Sequence, residues 1–129
     1  MSHIQKINLE VKNIKALKKA TEKLGLVFTE GVKSFSYYGS SRAKCDHTIG
    51  HPDDTHKIGV CAIEGQKAFE LKWDPGYLGK AQPIVGNRAQ ILKQEYAVAV
   101  ATMEAESQGM FVSRYDRPDG SVRLEASFN

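Results

Sequence analysis

Apolar and polar side chains alternate along Ile7-Asn-Leu-Glu-Val11, the two-residue period of a half-buried strand. The period then lengthens. Asn13 is placed to cap a helix, Ile14, Leu17, Thr21 and Leu24 follow at helical spacing, and Gly25 suits the left-handed residue that ends it. Residues 26–74 are rich in strand formers broken by turn residues. Val32, Ser34, Ser36 and Tyr38 alternate with Lys33, Phe35 and Tyr37 up to a break at Gly39-Ser-Ser41. Residues 44–50 and 57–63 flank a Pro52-Asp-Asp-Thr55 turn, and residues 68–73 form a further strand closed by Asp74-Pro-Gly76 in type II order. A loop over residues 76–87 comes next. Asn87 and Gln90 form a capping-box pair ahead of a long helix whose apolar stripe is Leu92, Tyr96, Ala99 and Met103, with Gly109 beyond its end. A hairpin closes the chain, residues 110–115 and 121–128 about an Arg117-Pro-Asp-Gly120 turn.

This order predicts an α+β fold: one twisted, mostly antiparallel sheet with two helices on one face, ferredoxin-like with extra strands. At 129 residues, 41% hydrophobic and 26% charged, the chain suits a single domain, 1–129, with a core of its own. A net charge of +3 permits an acidic or nucleic-acid partner without arguing for one. Two cysteines, Cys45 and Cys61, are too few for a disulfide framework and suit a reducing, cytoplasmic compartment. The opening run MSHIQKINLEVKN lacks a signal-peptide core, and no apolar run nears the ~20 residues of a membrane span, so no membrane partner is expected.

Several runs recur together in a familiar order. They are the opening MSHIQKI, the helix ALKKATEKLGL, the Lys44-Cys-Asp46 strand start and Phe69-Glu-Leu-Lys-Trp-Asp74, followed by Gln94-Glu-Tyr-Ala97, Gln108-Gly109 and Asp119-Gly-Ser-Val-Arg-Leu124. The set resembles the hypothetical chloroplast reading frame thirty-five family, a domain of unknown function in cyanobacteria, plastids and bacteriophages. The resemblance implies a small single-domain protein of a bacterial, phage-infected or stromal interior, with no assigned activity and no catalytic residue to carry over. Asp46 matches an aspartate of that family, whereas His47 stands where an apolar residue is more usual.

The stretch CDHTIGHPDDTH, residues 45–56, holds three of the four histidines. Cys45, His47, His51 and His56 are competent zinc ligands. With a four-residue loop His51 pairs with His56, Cys45 lies across from Ala62, and Cys45, His47, Ile49 and His51 share a face with His56, Ile58, Val60 and Ala62. His47 and His51 then stand ~13 Å apart at ~3.3 Å per residue, too far to share one ion. The narrower metal reading is His51 and His56 with Asp53, or Asp54, at the turn; a minor alternative makes this hairpin a metal-dependent enzyme site. In the same register Cys45 and Cys61 face opposite sides and stay free thiols.

Other chemistries find less support. No Ser–His–Asp relay can be placed, and residues 74–81 fail as a phosphate loop because Asp74 and Ala81 occupy essential positions. Glu70 with Asp74 reads more simply as a solvent face than as an acid–base pair. Lys12, Lys15, Lys19 and Lys23 make a lysine stripe on the first helix, and Tyr37 and Tyr38 with Arg42 and Lys44 offer stacking and phosphate contacts on a strand beside Phe35. The leading expectation is a non-enzymatic accessory protein with an unidentified protein partner, no cofactor, and self-association through exposed strand edges. The alternative is a protein binding single-stranded nucleic acid or a nucleotide through those basic and aromatic residues.

Overall fold

The computed structural model describes residues 4–128. Met1, Ser2 and His3 of the quoted opening run, and Asn129, lie outside the described residues. The chain opens as a strand, β1 (Gln5–Val11), then a helix, α1 (Ile14–Lys23). Asn13 caps α1 as expected: its side-chain oxygen accepts the Ala16 N–H at 3.0 Å. Gly25, at φ 74°, lets the chain turn out of the helix into β2 (Val27–Glu30). Next come β3 (Ser34–Tyr38), β4 (Ser41–Lys44), β5 (His47–Gly50), β6 (Ile58–Ala62) and β7 (Phe69–Trp73). The Asp74-Pro-Gly76 turn has its predicted form, with Tyr77 N–H donating to the Asp74 carbonyl at 3.2 Å and Gly76 at φ 92°.

The fold is α+β. Five strands form one antiparallel sheet in the order β1-β7-β6-β5-β2, so β1 and β2 are its two edges and α1 crosses between them. The strands do not all join that sheet. β3 and β4 form a separate ribbon, as do β8 (Phe111–Asp116) and β9 (Val122–Ser127) at the end of the chain. β5 and β6 pair His47 with Val60 and Ile49 with Ile58, the register that a four-residue loop demands.

Two helices complete the chain, α2 (Ala81–Val85) and α3 (Gln90–Ser107). α2 lies inside the expected loop, where Pro83 sits in the first turn and needs no N–H partner. The Asn87–Gln90 capping box does not form. Gln90 instead turns back to accept the Arg88 N–H at 3.0 Å, and α3 starts from Ala89 in a left-handed conformation.

One face of the sheet carries the main core. Ile49, Ile58, Val60, Leu71 and Trp73 pack against Leu17 and Ala20 of α1, Val85 of α2, and Leu92 and Tyr96 of α3. Tyr96 also joins elements through its hydroxyl, which accepts the backbone N–H groups of Lys12 and Asn13 at 3.1 and 3.2 Å. The other face carries a smaller cluster, Phe35 with Cys45 and Cys61, which seats the β3–β4 ribbon on the sheet. Gly59 of β6 makes this possible, since a Cβ there would overlap the Phe35 ring.

Both contacts yield direct tests. Tyr96→Phe leaves two backbone donors without their acceptor and should cost about 1–3 kcal/mol in a denaturant melt. Gly59→Ala should cost about 1–3 kcal/mol by overpacking, and Phe35→Leu in the same chain should recover part of that loss.

Candidate functional site

The histidine-rich hairpin proves to be a clasp. Asp54 reaches over to the start of α2, where its two carboxylate oxygens accept the Lys80 and Ala81 N–H groups at 2.9 and 3.0 Å. Asp53 pairs with the Lys80 ammonium at 2.7 Å. The ring of His56 lies between two carbonyls, with Nδ1 3.2 Å from the Tyr77 oxygen and Nε2 3.0 Å from that of Gly39. His56 thus ties the β3–β4 turn to the loop after β7, and Tyr38 packs edge-on against Tyr77 beside it, ring centroids 4.8 Å apart.

This arrangement corrects the metal reading. Both His56 nitrogens face carbonyl oxygens, and the His51 Nδ1 accepts the Asp53 N–H at 3.1 Å. Asp53 is given to Lys80. His51 Nδ1 lies 3.9 Å from an Asp53 oxygen, but His56 does not join them, and among the described residues no three His, Cys, Asp or Glu side chains stand together as metal ligands. His47 is also engaged: its Nδ1 accepts the Gly31 N–H, and its ring lies between those of Phe28 and Phe69.

The cysteines need a second correction. Cys45 does not share the face of His47 and Ile49; it joins Cys61 in the Phe35 cluster. Its N–H still bonds Lys33 O in the ribbon layer, and Asp46 makes the crossing into the main sheet, donating its N–H to Val60 and accepting that of Ala62. The bend at Asp46 breaks the alternation on which the face assignment rested. Both thiols are free and buried, and burial pushes each up to about 11, which makes them poor nucleophiles.

Glu70 lies in β7 and Asp74 just beyond its end, four residues on and ~13 Å away at ~3.3 Å per residue, too far for a shared proton. Burial works against the Glu70 carboxylate, but Lys6 at 3.0 Å and Lys72 at 3.5 Å outweigh it and hold its pKa below the usual range. It is an ionised surface group, not a general acid.

The expected basic and aromatic site divides in two. α1 lies on the core face of the sheet, while Tyr37, Tyr38, Arg42 and Lys44 belong to the ribbon on the opposite face. The Arg42 guanidinium is held by the Ser34 and Ser36 hydroxyls at 2.9 Å, and Tyr37 packs on Phe35. Lys44 remains exposed, and Lys12 stands 3.5 Å from Glu10. The stripe and the aromatic strand do not form one surface.

What the stripe does adjoin is a groove of about 290 Å³ between α1, α3 and β8. Ala20, Val98, Ala99, Met103 and Val112 line it, and Lys19 and Lys23 stand at its rim. Glu95, almost fully buried, forms a two-pronged pair with Arg114 across it, both contacts 2.7 Å, and Arg114 also reaches Asp116. That pair clamps the β8–β9 ribbon to α3. A second apolar groove, about 560 Å³, runs along the other flank of α3 by Leu9, Val100 and Ala101. Residues 97–103 carry no charge, yet none is fully buried. A helix segment that is apolar all round is ordinarily enclosed.

The Leu92-Tyr96-Ala99-Met103 stripe anticipated one side of α3 and missed the other, although the uncharged run Ala97-Val-Ala-Val-Ala-Thr-Met103 was a visible signal. The Glu95–Arg114 pair had none, being a contact between residues nineteen positions apart. Comparison with family models, with curated proteins and with solved structures finds no match to this chain.

The clasp has a pH signature. Burial works against the Asp54 carboxylate, but the Lys80 and Ala81 N–H groups, with His51 and Lys57 nearby, prevail and hold its pKa below the usual aspartate value. A lowered folded-state pKa stabilises the fold above the unfolded value of ~3.9 and loses that effect as pH falls below it. Asp54→Ala should cost about 1 kcal/mol at pH ~7, on the scale of a lost helix cap, and less at pH ~3. Urea melts at the two pH values check this.

Proposed function

We propose that this chain is a non-enzymatic interaction protein that docks a protein partner on the face formed by α1, α3 and β8. The uncharged, half-exposed run at residues 97–103, flanked on both sides by apolar grooves, carries this reading. Surfaces of this kind on soluble proteins mark places where another molecule sits. The polar groups that once suggested chemistry lend further support, because structural contacts already occupy them. The His56 ring lies between two carbonyls, Asp54 caps α2, Glu70 is paired with lysines and the thiols are buried.

Binding of single-stranded nucleic acid has weaker support, since Arg42 is tied to serines and Tyr38 packs on Tyr77 rather than standing open for a base. Of the described residues, no helix is long and apolar enough to cross a membrane.

Val98 is half-buried in the groove wall, so Val98→Asp puts a charge on the docking face at little cost to the core. Wild-type and variant chains, immobilised and exposed to an extract of the source cells, should differ: the wild type retains a stoichiometric partner that the variant loses. Identical retention by a variant with an unchanged melt would exclude this face. Light scattering on the same pair tests for a second copy as the occupant.

A further inference from the structure

The α1 lysines identify the chemistry of the partner. Lys15, Lys19 and Lys23 recur every fourth residue on the exposed side of α1, and the last two overhang the groove. Among the described residues none of the three forms an ion pair within 4 Å, whereas Lys18 of the same helix has Glu30 at 2.9 Å. Like charges four apart on a helix repel one another. Among the described residues lining the groove, the only carboxylate is that of Glu95, already bonded through both oxygens to Arg114. Asp116 feels the charge of Lys23 but is bonded to Arg114. The free chain thus holds a row of positive charge, without an ion pair among the described residues, along the edge of an apolar trough.

Resting on the docking reading above, we infer that the groove receives an acidic amphipathic helix, apolar side chains down on Val98, Ala99 and Met103 and carboxylates up against Lys15, Lys19 and Lys23. Charge complementarity selects the acid. The groove favours the helix: most of its lining is side chains from α1 and α3, with Val112 and Arg114 of β8 along one side. Against those helical side chains an extended peptide would leave its own backbone unpaired, whereas a helix satisfies its backbone internally. The trough is open to solvent along its length, a form suited to a third helix rather than to an enclosed lipid chain.

The test uses the whole chain and three probes: a designed helical peptide with leucines at i, i+4 and i+7 and glutamates elsewhere, its twin with lysines for the glutamates, and laurate. Binding is followed by fluorescence anisotropy and by amide shifts in α1 and α3. The acidic peptide should bind at least tenfold more tightly than the basic twin, with an advantage that shrinks as salt rises. Lys19→Glu should weaken the acidic peptide about tenfold and strengthen the basic twin, with the melting temperature of the free chain little changed, because opposite pairing with Lys15 and Lys23 is offset by a new like-charge contact with Glu22. A purely structural lysine would not give that opposed pair of effects. Equal binding of both peptides in the groove overturns the acidic partner and leaves the docking reading standing. Laurate shifting these amides where neither peptide does overturns it in favour of a small amphiphile. If no probe binds, the inference fails, and the extract experiment with Val98→Asp then decides the docking reading alone.

Discussion

The hydroxyl of Tyr96 accepts two backbone N–H groups where β1 turns into α1, at Lys12 and Asn13. Those donors precede the helix and have no partner within it, so a side chain from α3 must supply one. The ring beneath the hydroxyl belongs to the main core. A single residue thus fixes α3 against α1 by burial and by hydrogen bonding together. The groove between the two helices follows from that spacing. So does the position of the β8–β9 ribbon, which reaches the body of the protein through α3 and the Glu95–Arg114 pair. An isolated two-stranded ribbon is marginal in water, and Glu95, nearly buried, would be left as an unpaired charge without Arg114.

On the far side of the molecule, reactive-looking groups are consumed by architecture. Asp53, Asp54 and His56 belong to a short loop, yet each bonds a segment distant in sequence: the α2 start, the loop after β7 or the β3–β4 turn. α2 is one short turn and a half, too brief to persist on local preference. Asp54 supplies the acceptors that its first N–H groups lack. A carboxylate and an imidazole so used resemble a catalytic pair in a list of residues and are structural ties in space.

Ion pairing is uneven along the surface. Several acidic groups have a cation nearby: Glu30 has Lys18, Glu70 has Lys6 and Lys72, Asp53 has Lys80. The lysines along the groove do not share in this pairing. Repulsion within the stripe opposes α1 slightly, and the half-exposed apolar run on α3 contributes less burial than it would if covered. Two small penalties meet at one groove, a pattern expected where a surface serves binding rather than stability.

Local periodicity was enough for most of the fold. The alternation at residues 7–11, the Asn13 cap, Gly25, the type II turn at residues 74–77 and the β5–β6 register all read directly from neighbouring residues, because each depends on contacts within a few positions. The α+β class followed from their order. Tertiary structure decided what periodicity cannot carry. The strands divided among three sheets, since Gly59 leaves room for Phe35 and draws the β3–β4 ribbon onto the back of the main sheet. Cys45 changed face at the Asp46 bend, and Asn87 lost its cap to the turn set by Ala89 and Gln90. The histidines were legible as residues and misleading as a site, because the partners of His56 and Asp54 lie some twenty positions away. The lysine stripe was legible as a stripe; only the packing of α3 and β8 beside it made it the rim of a groove.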